Sequence, residues 1–403
     1  MSKSPAASSK GSRWWWVAWL ILGIAFAVQA VRMRVAEAAV ADGQASTAAL
    51  VRPQNAEALA LLADRQLTAG DAATAANTSV EALARAPMLV PGVRTLAVAR
   101  QELGDTAGAE AAWQVASAMG WRDRKTQLWA LLRALSNGEA EVFVMRADAL
   151  MRTERDDPRM LSLIRQALIE PQIRRSFIQR ITADPQWRLR LFTLPGRIGE
   201  NELDATIQTL MDLGETAKPP QRSEVRDSIL ALIAAGRNAD AVALDREFVA
   251  RPRDPGSLID DGGFERLPDY REEATPFDWT IVRAASLDRS GGRRSMLVLL
   301  DGRRRPLVRR FVALTPGRYQ ISYSIDGNPE AGSSIGFRIF CATGAAELAS
   351  SPRSPLPGEG SQKRSFDFTV PGNCPLVRLD LTTIGNSDSA EALIDDVVLR
   401  PSA

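Results

Sequence analysis

The sequence predicts three parts in order: an N-terminal membrane-spanning helix, an α-solenoid, and a C-terminal antiparallel β-sandwich. Three observations carry this reading. Trp14 to Val31 contains no charged residue. Residues 47–120 repeat themselves at a spacing of 34, as from Pro53 to Pro87. Beyond residue 256, apolar residues alternate instead of recurring at helical intervals. The expected boundaries are 1–13 for a cytoplasmic tail, 14–31 for the span, 47–250 for the solenoid, 251–257 for a linker and 258–403 for the sandwich.

As a helix rising about 1.5 Å per residue, Trp14–Val31 reaches roughly 27 Å, close to the hydrocarbon thickness of a bilayer. Lys3, Lys10 and Arg13 precede it, and Arg32 and Arg34 follow. Trp14, Trp15 and Trp16 stand where amphipathic rings favour the headgroup layer. The rival reading is a cleaved secretory signal, with Ala25/Ala27, Val28/Ala30 or Ala39/Ala41 as small-residue cleavage positions. A signal core runs about 7–15 apolar residues, shorter than this stretch, which favours an uncleaved anchor. The basic residues before the span point to an N-terminus in the cytoplasm and a body outside. Both readings export the body.

At 403 residues the chain has room for two or three domains. Its 50 basic residues nearly cancel 48 acidic ones, so no global field draws it to nucleic acid. Local clusters occur at Arg293–Arg294, Arg303–Arg305 and Arg309–Arg310. These read as solvated loop and strand edge, against phosphate or anionic-glycan binding. The chain has no histidine, which removes Ser-His-Asp and Cys-His nucleophilic sites, His-ligated zinc and the commonest neutral-pH general base. Neither a GxxxxGK[ST] phosphate loop nor a GxGxxG dinucleotide turn is present. Catalysis by carboxylates, Lys, Tyr or Ser stays open. Cys341 and Cys374 cannot make a four-ligand zinc site alone; in an exported protein they read as one disulfide, against two unrelated buried thiols.

Within the repeat, Leu62-Ala63 recurs as Leu96-Ala97, Leu59 as Val93, Gly70-Asp71 as Gly104-Asp105, Ala75 as Ala109 and Ala82 as Ala116. This pattern resembles the tetratricopeptide repeat, a helix–turn–helix unit with small residues where two helices cross. It departs at aromatic positions: Gln66 and Arg100 replace the first-helix tyrosine, and Ser79 stands where the second unit has Trp113. Gly138 marks a weaker third unit. The resemblance implies a concave groove lined by Asp64, Leu67, Arg94, Val98 and Gln101, positions that read equally as ordinary solvent-facing ones. Helical spacing persists to residue 250, with Asp157-Pro158, Glu170-Pro171 and Asp184-Pro185 placing proline where a helix's first turn accepts it. Lys218-Pro219-Pro220 marks a break.

In the last third, the alternating runs are Phe277/Trp279/Ile281, Tyr319/Ile321/Tyr323/Ile325, Phe337/Ile339/Cys341, Phe366/Phe368/Val370 and Val377/Leu379/Leu381. The opening Leu258–Glu265, the turn Leu314–Tyr319 and the closing Leu393–Leu399 resemble the framework of jelly-roll carbohydrate-binding modules. That resemblance implies a fold suited to glycan. Trp279 and Tyr323 are the strand aromatics that would grip a sugar, although each shares a face with aliphatic core residues; Tyr270 is the loop candidate. It also implies a structural calcium ion held by Glu265 and Asp395, against a reading as capped or Arg-paired strand-end carboxylates. A glycosidase reading is poor, because Asp395 and Asp396 point to opposite faces of a strand.

Taken as a whole, the layout resembles membrane-anchored tetratricopeptide proteins of bacterial exopolysaccharide assembly and export. It implies a non-catalytic scaffold of the bacterial inner membrane with its body in the periplasm. The solenoid would bind a protein partner and the sandwich a polysaccharide. The alternatives are a carbohydrate-active enzyme using carboxylates and a structural envelope protein that binds no glycan.

Overall fold

A computed structural model describes residues 10–153, 157–249, 251, 256–265, 274–282, 285–288, 295–300, 306–327, 334–342, 346–358, 360–383 and 390–402. The chain forms two compact units, residues 1–156 and 157–403. Among the described residues there are fourteen helices followed by ten strands.

In the first unit, α1 runs Lys10–Ala41, longer than the apolar stretch that begins it. Its segment Trp14–Ala41 is long and apolar enough to cross a membrane. The large apolar side chains from Trp14 to Val31 are exposed, whereas Ala36 and Ala39 are buried. Ala39 packs with Ala48 of α2 (Ala45–Val51) and Ala58 of α3 (Ala56–Thr68). The helix that carries the apolar stretch therefore ends as part of the helical body.

The helices α3, α4 (Ala72–Arg85), α5 (Val90–Glu102), α6 (Thr106–Met119), α7 (Arg124–Asn137) and α8 (Ala140–Thr153) follow from local chemistry. Gly70, Gly104 and Gly138 all adopt positive φ at the 34-residue interval, a conformation that side-chain-bearing residues rarely take. Asp71 then accepts a hydrogen bond from the Thr74 N–H and Asp105 from the Gly108 N–H, capping α4 and α6. The hydrogen bonds with Thr74 hold the Asp71 carboxyl below its ordinary pKa. Ala63, Ala75, Ala82, Ala97, Ala109 and Ala116 are buried where the helices cross.

The second unit opens with α9 (Pro158–Ala167), α10 (Pro171–Ile181), α11 (Arg188–Phe192), α12 (Glu200–Gly214), α13 (Arg222–Ala234) and α14 (Asn238–Phe248). Pro158 and Pro171 begin α9 and α10, as their sequence context predicts. Pro185 does not: Asp184 takes a φ of 54°, turning the chain, and α11 begins only at Arg188. Two buried ion pairs join these helices, Arg165–Glu202 and Arg188–Glu224, each at 2.6 Å. Arg188 also donates to the carbonyls of Lys218 and Pro219, fixing the break between α12 and α13.

The sandwich consists of two five-stranded antiparallel sheets. The first has the order β1-β4-β9-β6-β7, with β1 Thr280–Ile281, β4 Pro306–Ala313, β9 Leu376–Thr383, β6 Ile335–Cys341 and β7 Glu347–Ser350. The second has the order β2-β3-β10-β5-β8, with β2 Ala285–Asp288, β3 Ser295–Leu300, β10 Ala390–Pro401, β5 Gly317–Gly327 and β8 Gln362–Val370. Their facing sides form one core that includes Phe264, Trp279, Ile321, Tyr323, Phe337, Leu379 and Ile394. The opening and closing segments meet: Leu258 N–H donates to Leu399 O, and Val397 N–H to Gly262 O. A Cβ on Gly262 would lie 2.0 Å from the Val397 carbonyl, so only glycine permits this approach. At the remaining framework turn, Tyr319 Oη donates to Thr315 O at 2.8 Å.

Cys341 and Cys374 form the disulfide read from the sequence, with their Cα atoms 5.6 Å apart. Closing a loop of 33 residues stabilises the fold by about 3–4 kcal/mol in the chain-entropy model. Cys341→Ser is therefore expected to lower the melting temperature of the second unit while the helical circular-dichroism signal persists. Free thiols in non-reducing mass mapping of protein isolated without reductant would contradict the pairing.

Candidate functional site

The outward side of the first sheet gathers the chemistry. In β6, Phe337, Ile339 and Cys341 point into the core, so alternation sends Arg338 and Phe340 outward. In β9, Val377, Leu379 and Leu381 are core residues, leaving Arg378 and Asp380 on the outer side. Arg309 and Phe311 occupy the same side of β4. Register aligns these residues in two rows across the strands. One row runs Thr280, Arg309, Asp380, Arg338, Ser350; the next runs Phe311, Arg378, Phe340, Glu347.

Asp380 is the anchor of the first row, its side chain only 6% exposed. Arg309 grips it with both prongs, Nε to Oδ1 at 2.8 Å and Nη2 to Oδ2 at 3.3 Å. Arg378 adds its Nε–H to Oδ2 at 3.1 Å. Arg338 pairs instead with Glu347 on the edge strand β7. Two guanidiniums also lie against one ring: Arg378 and Arg338 are 4.5 and 4.9 Å from the Phe340 centroid. Burial, then the nearby charges of Arg309 and Arg338, pull the Arg378 guanidinium below its ordinary pKa despite Asp380. The hydrogen bond to Glu347 moves Arg338 the other way. At the end of the second row, Phe311 lines a recess of about 600 Å³ together with Phe277, Leu258 and Arg246. The surface thus offers two half-buried phenyl rings, three fixed guanidiniums and two carboxylates already engaged by them.

Trp279 and Tyr323 do not present a ring to a sugar. Each is 1% exposed, and both belong to the sandwich core. Trp279 packs on Phe264 and Phe337, with centroids 5.3 and 6.0 Å away, and donates its indole N–H to Asp261 O at 3.0 Å. Tyr323 packs edge-on against Phe337 and shares a hydrogen bond with Ser351, and burial raises its phenol pKa. Both face the core, Tyr323 beside Ile321 and Ile325 of β5 and Trp279 just ahead of β1. Tyr270 lies outside the described residues, as do Arg293–Arg294 and Arg303–Arg305.

Glu265 and Asp395 lie on the opening and closing segments of the sandwich. Calcium takes six to eight oxygens. Glu265 is exposed with its carboxylate beside Gly263, and Asp395 accepts from the Asp396 N–H at 2.8 Å. No group of three or more His, Cys, Asp or Glu side chains suited to a metal occurs among the described residues.

The Arg309–Arg310 pair is not a solvated edge either. Arg309 faces outward onto Asp380, while Arg310 turns inward, buried, against Asp260 and over the Trp279 ring. Arg251, placed by the sequence at the head of a linker, is a hub. It contacts Asp245, Asp260, Asp278 and Thr275, joining α14 to the start of the sandwich.

In the first unit, the structure brings Asp64 and Arg94 together at 3.5 Å across α3 and α5. Arg94 also binds Asp123, and Lys125 approaches Asp64 at 3.5 Å, so one ion network links three successive first helices. Val98 packs against the cluster around Ala97, Trp113 and Ala116. Leu67 is half-buried and Gln101 exposed.

Arg338, Phe340, Arg378 and Asp380 escape a reading of the sequence that follows only the apolar members of each alternating run. The signal available was the pair of arginines occupying the intervening positions of β6 and β9.

No protein-family model matches the chain, and neither does any curated protein. Among solved structures, the C-terminal region is similar to TmCBM61 in complex with β-1,4-galactotriose, at 15% identity over 36% of this chain and 99% of that one, with a TM-score of 0.27. It is also similar to the xylan-binding CBM22-1 domain of Paenibacillus barcinonensis Xyn10C, at 16% identity over 31% and 87% of the two chains and a TM-score of 0.23. A third similar structure is a family 16 carbohydrate-binding module, at 15% identity over 35% and 98% and a TM-score of 0.25.

Proposed function

We propose that this protein is a non-catalytic, membrane-anchored adaptor whose sandwich contacts a glycan on the outer side of its first sheet. The observation that carries this reading is the pair of half-buried rings, Phe311 and Phe340, set among donors on one strand surface. A pyranose ring lays its C–H face on an aromatic ring, while fixed N–H groups address its hydroxyls. The helical repeats supply an extended surface for a protein partner, and the apolar part of α1 supplies a single-span anchor. The disulfide supports an oxidising compartment, which we take to be the periplasm beside a bacterial inner membrane. The setting that unites these parts is exopolysaccharide assembly or export.

The test uses full-length protein solubilised in detergent and a panel of immobilised polysaccharides. Phe340→Ala and Phe311→Ala are each expected to weaken polymer retention about tenfold, the equivalent of about 1.4 kcal/mol. Arg94→Glu combined with Gln101→Glu is expected to keep polymer retention and lose the co-purifying protein partner. If neither phenylalanine variant changes retention, the sheet surface is not the glycan site. If the Arg94 variant keeps its partner, the groove assignment is wrong.

A further inference from the structure

Among the described residues, the charged side chains on the outer surface of the first sheet leave a positive surplus. Three guanidiniums, from Arg309, Arg338 and Arg378, face two carboxylates, from Asp380 and Glu347. Glu347 is matched to Arg338 on the edge strand. Asp380 is shared by Arg309 and Arg378, so among the described residues one positive charge at the centre of the surface has no carboxylate of its own. Nor is it a freely solvated charge: the Arg378 side chain is 21% exposed, packed beside Phe340 with Arg309 and Arg338 nearby. A half-buried cation among other cations is an unfavourable arrangement unless an anion completes it.

We infer that the glycan bound on this surface is acidic, with an anionic substituent held between Arg378 and Arg338 and the adjoining sugar ring against Phe340. The inference rests on the reading of the sheet as a glycan site. Guanidiniums suit this task because their planar, always charged heads present paired donors that match a carboxylate or sulfate edge. The arginines are also held before any ligand arrives, Arg309 and Arg378 by Asp380 and Arg338 by Glu347, so little side-chain freedom is lost on binding. Phe340 lies within 5 Å of two of the guanidinium carbons. A ring and its charged substituent would therefore meet aromatic and cation together. A neutral polymer would leave the surplus charge unmet.

The experiment is affinity electrophoresis of the full-length protein in detergent, through gels carrying polygalacturonate, dextran sulfate or a neutral galactan. Each gel is run at about 0.1 M and about 1 M salt, where the screening length falls from about 10 to about 3 Å. Retention is expected in an acidic gel, weakened at high salt, and reduced tenfold or more by Arg338→Gln, which removes a charge-assisted hydrogen bond from an exposed edge. Arg378→Met should abolish it, with the thermal melt of the variant confirming that the sandwich is folded. Retention by polygalacturonate identifies a carboxylate as the anion, and retention by dextran sulfate alone identifies a sulfate; both support the site if Arg338→Gln weakens them. Equal retention by neutral galactan, or acidic retention unmoved by Arg338→Gln, would overturn the acidic class while leaving the sandwich a glycan binder. Retention in none of the gels would overturn both readings.

Discussion

Replacing Arg251 with alanine is expected to cost the second unit about 3–5 kcal/mol, the range found when one partner of a buried ion pair is removed. Arg251 donates to Asp278 Oδ1 at 2.8 Å, to Asp245 Oδ1 at 3.0 Å and to Thr275 Oγ1 at 2.7 Å, and lies 3.5 Å from Asp260. Asp245 and Asp278 are buried, and Thr275 is fully so. Burial opposes the charge on Arg251, yet its hydrogen bonds to Asp245 and Asp278 outweigh that penalty and raise its pKa. Truncation would leave the acidic side chains of this cluster facing one another with, among the described residues, Arg222 on Asp278 and Arg310 on Asp260 as counter-charges. Arg251→Lys should recover part of the loss, because one ammonium cannot reproduce several directed N–H contacts. Urea unfolding of the full chain measures the effect, and a loss below about 1 kcal/mol would show that the cluster adds little net stability. The same contacts imply that a sandwich fragment beginning at residue 258 lacks part of its support, since Asp245 and Arg251 lie before that point.

The second large effect is expected at Trp279. Trp279→Ala removes a large, fully buried side chain and should cost about 3–5 kcal/mol, through lost packing against Phe264 and Phe337 and a cavity between the sheets. It also leaves the Asp261 carbonyl without the indole donor. Trp279→Phe retains most of the volume and should cost less, with glycan retention unchanged. The two variants separate a core role from a binding role. If Trp279→Phe folded with a native melt but lost the polymer, the tryptophan would have to be restored to the binding surface.

Much of the local structure was legible because the interactions that make it are local. The Gly-Asp steps at 70–71 and 104–105 encode a left-handed residue and a helix cap within four residues. The alternation of Phe337, Ile339 and Cys341 told which side of β6 is buried, and the same rule located the core side of β9. Asp184-Pro185 misled for a related reason. The dipeptide is compatible with a helix start, but the turn at Asp184 delays the helix to Arg188.

The candidate site was much less legible. Arg309 meets Asp380 across 71 positions of sequence, and Arg338 becomes a neighbour of Asp380 only because β9 lies between β4 and β6. Strand order depends on nonlocal pairing, which no short motif specifies.

By itself, then, the sequence determined the helical hairpins, the apolar helix, the alternating strands and the two cysteines that pair, all of which rest on periodicity or on few residues. Only the tertiary structure decided how the charged residues were spent. It sent Arg309 outward and its neighbour Arg310 inward, and made Arg251 the centre of a buried cluster. Side-chain chemistry is written in the sequence, but the burial and the partners that set its energy are properties of the packed fold.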